Sequence, residues 1–239
     1  MTPSNPFPPP GYVRRQLGEH DVVAFEAVVG AVEKALADAP SLARGAVERA
    51  ERVVKGGRGP VWRVQLGGIP AAVRHYRRGG WMAPLFGDRY FDRTPRPFAE
   101  LSVSESLRAA GVSTPRVLAA LVAPAHPGYR ADLATEWLPP GLDLEELLRP
   151  GLYPADERGA AIEAAGHTVG RAHAAGLDHP DLRPRNLFLQ PLGDGRWAAA
   201  LLDLDRARPA SDGIRAANVK KKTSIASVVP STRSVARAA

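Results

Sequence analysis

The residues best suited to chemistry lie in two short stretches of the C-terminal half. Residues 179–186 read His-Pro-Asp-Leu-Arg-Pro-Arg-Asn, and Asp203 follows Asn186 by 17 residues, at the end of an apolar run. Phosphoryl transfer needs a carboxylate beside the attacking hydroxyl and oxygen ligands for a Mg²⁺ ion that bridges the nucleotide phosphates. Taken singly, Asp181 would be a turn-capping residue and Asp203 a solvent residue at a strand end. Their order and their apolar flanks favour a phosphotransferase.

The N-terminal half offers a glycine cluster that could contact phosphate. Residues 56–59 read Gly-Gly-Arg-Gly between two β-prone runs, where Gly57 and Gly59 would let backbone N–H groups approach an anion closely. The spacing is not the full G-x-G-x-x-G pattern, so a simple hairpin turn stays open as the alternative. No Walker A motif occurs, which argues against a P-loop enzyme.

The elements that must position these residues follow from periodicity and turn residues. We expect a disordered or loosely docked arm over 1–18, and helical spacing from His20 to about Val54 with a break at Pro40-Ser41. The remaining predicted elements are three strands (52–54, 61–66, 71–76), a helix (97–110), two strands (116–122, 133–138), a helix from Asp143, a helix (155–175) and a hairpin (186–189 with 198–202).

Strands that precede helices, split by a Pro/Gly hinge, predict an α+β fold of two lobes. The predicted lobes are 19–138, β-rich with a helical N-terminal extension, and 139–219, a reduced helical lobe with the catalytic loop. Residues 220–239 are expected to form a basic, disordered tail.

Composition narrows the class of protein. The 239 residues are 44% apolar and 24% charged, which is ordinary for a globular protein. There is no cysteine, which excludes disulfides and thiolate chemistry. No apolar run approaches the ~20 residues of a membrane-spanning helix, and residues 1–10 do not resemble a signal peptide. We therefore expect a cytoplasmic location.

The net charge of +7 lies in the C-terminal region. Residues 206–239 carry eight basic residues and one acidic residue, whereas residues 1–205 are neutral overall. A neutral body with a basic tail suggests an anionic surface as partner, either membrane or nucleic acid. A solvated terminal arm is the equally simple alternative.

The motif His-x-Asp-Leu-x-x-x-Asn resembles the catalytic loop of protein kinases, with Pro180 where they usually carry arginine. Ala71-Ala72-Val73-Arg74 is similar to their V-A-I-K strand, with Arg74 in place of lysine. The resemblance implies that Glu100, on the following helix, is the ion-pair partner of Arg74. It also implies that residues 136–138, starting at Glu136, form the hinge whose backbone binds adenine.

Residues 74–80 (Arg-His-Tyr-Arg-Arg-Gly-Gly), the segment 85–90 and the Asp-Leu-Asp-Arg ending at 203–206 resemble the lipopolysaccharide kinase family. The resemblance covers residues 56–218 and points to kinases for 3-deoxy-D-manno-octulosonic acid (Kdo). It implies a protein-kinase-like fold, ATP and Mg²⁺ as cofactors, and phosphorylation of Kdo–lipid A, at the 4-hydroxyl.

That family resemblance also implies a role for each site residue. Asp181 would be the catalytic base, and Asn186 and Asp203 would hold Mg²⁺. Arg74 and the glycine turn would contact phosphates, and Asp205 would be a further metal ligand or a structural residue.

Arginines and aromatic residues alternate between Arg74 and Arg96, including Trp81 and Phe86, as suits an anionic glycolipid at the inner leaflet. A packed helix with snorkelling arginines is the alternative. The expected partners are Kdo–lipid A and the cytoplasmic face of the inner membrane, and no nucleic acid. Two other functions stay open: a kinase for a soluble small molecule or a protein, and a pseudokinase without activity.

Overall fold

The computed structural model describes residues 7–56, 59–77 and 87–209. Gly57, Trp81, Phe86, the first six residues of the predicted arm and the predicted tail lie outside the described residues. The fold is α+β with two lobes, as predicted. None of the helices in the described ranges combines the length and apolar content needed to cross a bilayer.

The first lobe is built on one antiparallel sheet of seven strands in the order β1-β2-β6-β7-β5-β4-β3. The strands are β1 (Tyr12–Leu17), β2 (His20–Phe25), β3 (Arg52–Gly56), β4 (Gly59–Leu66), β5 (Ile69–His75), β6 (Val117–Pro124) and β7 (Tyr129–Glu136). The predicted meander of three strands is therefore confirmed as β3 to β5. Strand β5 lies between β4 and β7, so Arg74 projects from an interior strand, near the end of that strand.

Helices cover both faces of this sheet. On one face, α1 (Val29–Asp38) and α2 (Leu42–Arg49) bury Val32 and Ala46 against β4, β5 and β6. On the other face, α3 (Arg96–Ala109) buries Phe98 and Leu101 against β2, β6 and β7. Apolar contacts on both faces hold the sheet rigid, so it can fix the side chains that project from its end.

Two predictions for the N-terminus are wrong. The predicted arm is ordered over Tyr12–Leu17, which pairs along its whole length with β2 and buries Tyr12. The helix predicted from His20 begins only at Val29, because His20–Phe25 is strand β2. In β2, consecutive residues are buried on opposite faces of a covered sheet, so the apolar run has no period of two.

The second lobe is smaller. Its elements are β8 (Leu142–Asp143), α4 (Leu144–Leu147), α5 (Ala155–Ala174), β9 (Leu177–Asp178), β10 (Leu187–Gly193), β11 (Arg196–Leu201) and β12 (Arg208–Pro209). The strands form two small sheets, β11-β10-β8 and β12-β9. Helix α5 packs on β11, and Thr168 donates a hydrogen bond to the Ala199 carbonyl at 3.2 Å.

The hairpin predicted around residues 193–195 is confirmed, since β10 and β11 pair there and Asp194 adopts a positive φ of 52°. The link between the lobes runs past this hairpin. A Cβ at Gly141 would lie 2.4 Å from the Leu189 carbonyl oxygen, so only glycine fits this crossing.

Candidate active site

The loop that carries Asp181 is held by its own backbone. Leu182 N–H donates to the His179 carbonyl at 3.2 Å, and Asn186 N–H donates to the Arg183 carbonyl at 2.9 Å. The side-chain Nδ2 of Asn186 donates to the Asp181 carbonyl at 2.9 Å. Pro184 begins the 3₁₀ turn 184–186, which suits its fixed φ and missing N–H. The five-residue spacing thus brings Asp181 and Asn186 into direct contact.

The Asp181 carboxylate faces partly toward solvent. Its side chain is 25% exposed, and Oδ1 lies 2.7 Å from Nε of Arg183, whose side chain is more than half exposed. A carboxylate that a substrate hydroxyl can reach is able to accept its proton. The role of Asp181 as the catalytic base stays a prediction.

Asp203 lies beside Asn186 because the backbones on either side are paired. Leu202 N–H donates to the Asn186 carbonyl at 2.8 Å, and Asp203 follows Leu202 directly, two residues after the end of β11. Asp203 has a φ of 55°, in the left-handed region that few residues other than glycine adopt. Its Oδ1 lies 3.5 Å from Nη1 of Arg74. The structure thus joins Asp181, Asn186 and Asp203 at one place.

Asn186 and Asp203 fit a Mg²⁺ ion that nucleotide phosphates also bind. The hydrogen bond to Asp181 uses the amide nitrogen of Asn186, so its oxygen is the atom that could bind a cation. Among the described residues, no three His, Asp or Glu side chains form a metal site by themselves. Mg²⁺ usually takes one or two protein carboxylates and completes its shell with phosphates and water.

Arg74 and Glu100 form the buried ion pair that the sequence predicted. Nη2 of Arg74 lies 2.6 Å from each carboxylate oxygen of Glu100, and the Tyr76 hydroxyl donates a hydrogen bond to the same carboxylate. Burial raises the pKa of Glu100 even though Arg74 opposes that shift. Burial alone would lower the pKa of Arg74, but Glu100, Tyr76 and Asp203 raise it, so the guanidinium stays charged.

Arg74 also lies over the ring of Tyr76, with Cζ 4.8 Å from the ring centroid. Tyr76 was not among the predicted site residues. Arg74 and Tyr76 are two positions apart at the end of β5 and share one side of the sheet. The period of a strand could therefore have identified Tyr76.

The other predicted nucleotide contacts are only partly placed. Gly59 opens β4 with a φ of 139°, which favours glycine. Glu136 ends β7, and its Oε2 accepts the backbone N–H of Arg116 at 3.2 Å, so this side chain is bonded within the lobe. Trp137 N–H donates to the Pro70 carbonyl at 2.8 Å. The adenine-binding role of this segment stays a prediction.

A second ion pair, absent from the sequence predictions, lies next to Arg74. Nη1 of Arg96 lies 3.2 Å from Oδ2 of Asp205, whose side chain is 2% exposed. Arg96 also contacts Asp92 at 2.9 Å and lies over the Tyr90 ring at 4.7 Å. Because 109 positions separate Arg96 from Asp205, no local sequence signal could have identified this pair.

Comparisons with known proteins agree on one family. Residues 47–221 match the model of the Lipopolysaccharide kinase (Kdo/WaaP) family. A 3-deoxy-D-manno-octulosonic acid kinase of Vibrio vulnificus (strain YJ016) is 34% identical over 169 residues, 69% of this chain and 68% of that protein. The enzyme of the same name from Xanthomonas oryzae pv. oryzae (strain PXO99A) is 39% identical over 163 residues, 66% of this chain and 61% of that protein.

A solved structure described as WaaP in complex with acyl carrier protein is also similar. Its TM-score is 0.49 at 22% sequence identity, over 74% of this chain and 70% of that chain.

Proposed function

The chain belongs to the lipopolysaccharide kinase (Kdo/WaaP) family, and we propose that it phosphorylates a Kdo sugar of Kdo–lipid A with ATP, at the 4-hydroxyl. The observation that carries the proposal is the contact of Asn186 with both catalytic segments. Its side chain binds the main chain of Asp181, and its carbonyl binds Leu202, next to Asp203. The residues proposed as the base and the two cation ligands therefore lie close together, which supports phosphoryl transfer.

Each side chain has a role in this proposal. Asp181 orients the sugar hydroxyl and accepts its proton as the oxygen attacks the γ-phosphorus of ATP and the bond from that phosphorus to ADP breaks, so that ADP leaves. Arg74, held by Glu100 and by the Tyr76 ring, directs its guanidinium toward the nucleotide phosphates. When Mg²⁺ is bound, it neutralises phosphate charge from the side of Asn186 and Asp203. Catalysis comes from positioning and charge, with no covalent step on the protein.

The acceptor is tested by a direct comparison of substrates. Purified protein is incubated with ATP and either Kdo–lipid A, an aminoglycoside or a generic protein, and the gain of one phosphate is followed by mass spectrometry. We expect phosphate on Kdo–lipid A only, and loss of at least ~10² in rate for Asp181→Ala. Phosphorylation of a soluble acceptor but not of Kdo–lipid A would refute the acceptor. An unchanged rate for Asp181→Ala would refute the base.

We also propose that the protein binds the cytoplasmic face of the inner membrane. The support is compositional, because residues 206–239 carry the whole net charge of +7 and the proposed acceptor is an anionic lipid. Sedimentation with anionic vesicles should exceed that with neutral vesicles and should weaken as salt rises. Equal binding to both kinds of vesicle would refute membrane association through charge.

A further inference from the structure

Asp205 is a buried carboxylate whose oxygens both face Arg96. Oδ2 and Oδ1 lie 3.2 Å and 3.4 Å from Nη1 of Arg96, and the Asp205 side chain is 2% exposed. Arg96 is the first residue of α3, the helix that carries Glu100 four positions later. Residues four apart on a helix share one face, so Arg96 and Glu100 face the same part of the site.

Two paths made of three ion pairs thus connect helix α3 to the segment 203–205. Along one path, Glu100 binds Arg74, and Arg74 contacts Asp203. Along the other path, Arg96 binds Asp205. The two paths form a closed ring, because Arg96 and Glu100 are on one helix and Asp203 and Asp205 are two residues apart.

The backbone at Asp203 needs such support. A left-handed φ at a non-glycine residue costs of order 1 kcal/mol or more and persists only where the surroundings determine it. Leu204 is 2% exposed, and Ala207 N–H donates to the Leu204 carbonyl at 2.9 Å, which fixes the chain after Asp203. The ion pair with Arg96 fixes Asp205, which is the residue after Leu204.

We propose that Arg96 and Asp205 are positioning residues that hold the Asp203 carboxylate where it can bind a nucleotide-bound divalent cation. This inference rests on the proposed function and resolves the two roles left open for Asp205. In this proposal Asp205, buried against the Arg96 guanidinium, supports its neighbour Asp203 as a structural residue. Removing a group that orients a metal ligand typically lowers the affinity for the metal 10–100-fold.

The test measures cation affinity directly. Mn²⁺, a paramagnetic substitute for Mg²⁺, is titrated into protein saturated with ADP, and free Mn²⁺ is counted by electron paramagnetic resonance. We expect Asp205→Asn to weaken Mn²⁺ affinity by roughly tenfold or more, while Asp203→Asn abolishes binding. Asp92→Asn is the matched control, since it removes the more exposed carboxylate on Arg96 and should leave Mn²⁺ affinity unchanged.

A second variant and a melting curve distinguish an effect on Mn²⁺ binding from an effect on folding. The double variant Arg96→Met with Asp205→Leu replaces the buried pair by apolar side chains, which commonly preserves stability. It should melt near the wild-type temperature and still bind Mn²⁺ weakly. Wild-type Mn²⁺ affinity in this double variant, or complete loss of binding in Asp205→Asn alone, would overturn the proposal. Because no acceptor is present, these outcomes do not depend on whether Kdo–lipid A is the substrate.

Discussion

Arg74 is the residue that joins the parts of the site. Nη2 of the guanidinium contacts Glu100, Nη1 contacts Asp203, and Cζ lies over the Tyr76 ring. A lysine ammonium is a compact charge and cannot make these three contacts in one geometry, whereas the planar fork of arginine can. The arginine at this position is therefore compatible with an active enzyme.

The sequence predicted the partner of Arg74 but not its full role. Glu100 was identified from the order of motifs along the chain, and the pairing is confirmed. The contact with Asp203 was not predicted, because it joins two lobes across 129 positions of sequence. The catalytic loop was easier to predict, since Asp181 and Asn186 are close in sequence and their contact is local.

Removing Arg74 should damage both stability and catalysis, and the two effects can be separated. Arg74→Met leaves the buried Glu100 without its cation, which we expect to lower the free energy of unfolding by about 3 kcal/mol. Adding Glu100→Met should restore most of that stability, because no buried charge is then left unpaired. Neither variant should retain more than about one hundredth of the wild-type rate if Arg74 binds phosphate. Denaturant titration and a kinase assay measure the two quantities.

Arg208→Met is the control for that experiment. Arg208 pairs with Asp178 at 2.8 Å, but its side chain is 67% exposed, so its loss should change stability by less than about 1 kcal/mol. A double variant at positions 74 and 100 that regained full activity would show that the pair supports the fold alone.

At the scale of elements, sequence patterns worked where glycine or proline marks the ends. Strands β3 to β5, helices α3 and α5 and the β10–β11 hairpin all lie close to their predicted positions. The patterns failed for β1 and β2. Strand β2 is buried on both faces, and β1 is an edge strand whose outward residues are polar. Strand β1 pairs with β2 in a hairpin, and β2 pairs with β6, which is distant in sequence, so pairing rather than a local apolar pattern makes these segments strands.

Strand β1 braces the helix that carries Glu100. The Tyr12 hydroxyl oxygen lies 2.9 Å from Glu105 Oε1 and 2.7 Å from the Val117 carbonyl oxygen, and its one proton is shared between these two acceptors, which ties β1 to α3 and to β6. Burial and the nearby Glu105 raise the pKa of Tyr12, so it stays a hydrogen-bond donor. Phe7 and Arg14 add ring contacts to Phe98 of α3, at 5.5 Å and 5.6 Å.

Tyr12→Phe should therefore loosen α3 without unfolding the protein. Loss of the hydroxyl leaves Glu105 and the Val117 carbonyl without this donor, at a cost of about 1–3 kcal/mol. Hydrogen–deuterium exchange should accelerate in peptides from residues 96–109 more than in the second lobe. Tyr153→Phe makes the same chemical change in the other lobe and should leave exchange in α3 unaltered. Uniform acceleration across the whole chain would contradict a local brace.

His75 joins β5, β7 and the segment that begins at residue 87. His75 Nδ1 lies 2.6 Å from Asp132, and Nε2 lies 2.9 Å from Asp88, which Arg130 also contacts. Asp132 in turn accepts the Ala43 N–H of α2. Burial alone would lower the pKa of His75, but the two carboxylates raise it above its ordinary value of 6.5.

The sign of the pH dependence follows from that shift. The pKa of His75 is higher in the folded protein than in the unfolded chain. His75 therefore adds its full contribution to the free energy of unfolding below pH 6.5, and this contribution is lost as the pH rises through the pKa of the folded state. The pKa of Asp88 is lowered because Arg130 and His75 outweigh its burial, so its contribution is lost only in acid.

Melting temperatures from pH 6 to 9 should therefore fall in the wild type and fall less in His75→Gln. His167→Gln, at an exposed histidine of α5, should follow the wild-type curve. Parallel curves for all three proteins would exclude this cluster as the cause.

For the whole molecule, the family match and the folded core do not begin at the same residue. The family model starts at residue 47, whereas the first lobe already contains β1, β2, α1 and most of α2 before that point. Val28, Val32 and Leu42 of this N-terminal extension (residues 12–46) are 3% exposed or less, and they pack in one cluster with Val64, Val73 and Leu118. The face of the sheet opposite α3 is therefore buried by the extension.

A chain that starts at Glu51 should consequently not fold as a cooperative unit. It loses both helices on that face and two of seven strands, which exposes Val73, Leu118 and Leu121, now 1% exposed or less. Each such side chain contributes about 1.5–3 kcal/mol on burial, so several together approach the whole stability of a typical domain. Circular dichroism melting and binding of a hydrophobic dye should show a broad transition and exposed apolar surface.

A chain that starts at Phe7 is the control and should melt sharply, because it keeps every described element. Sharp melting of the Glu51 chain at the same temperature would mean that residues 51–209 bury a sufficient core without the extension. The role of β1 would then reduce to bracing α3, and the Tyr12 experiment would be the one that measures it.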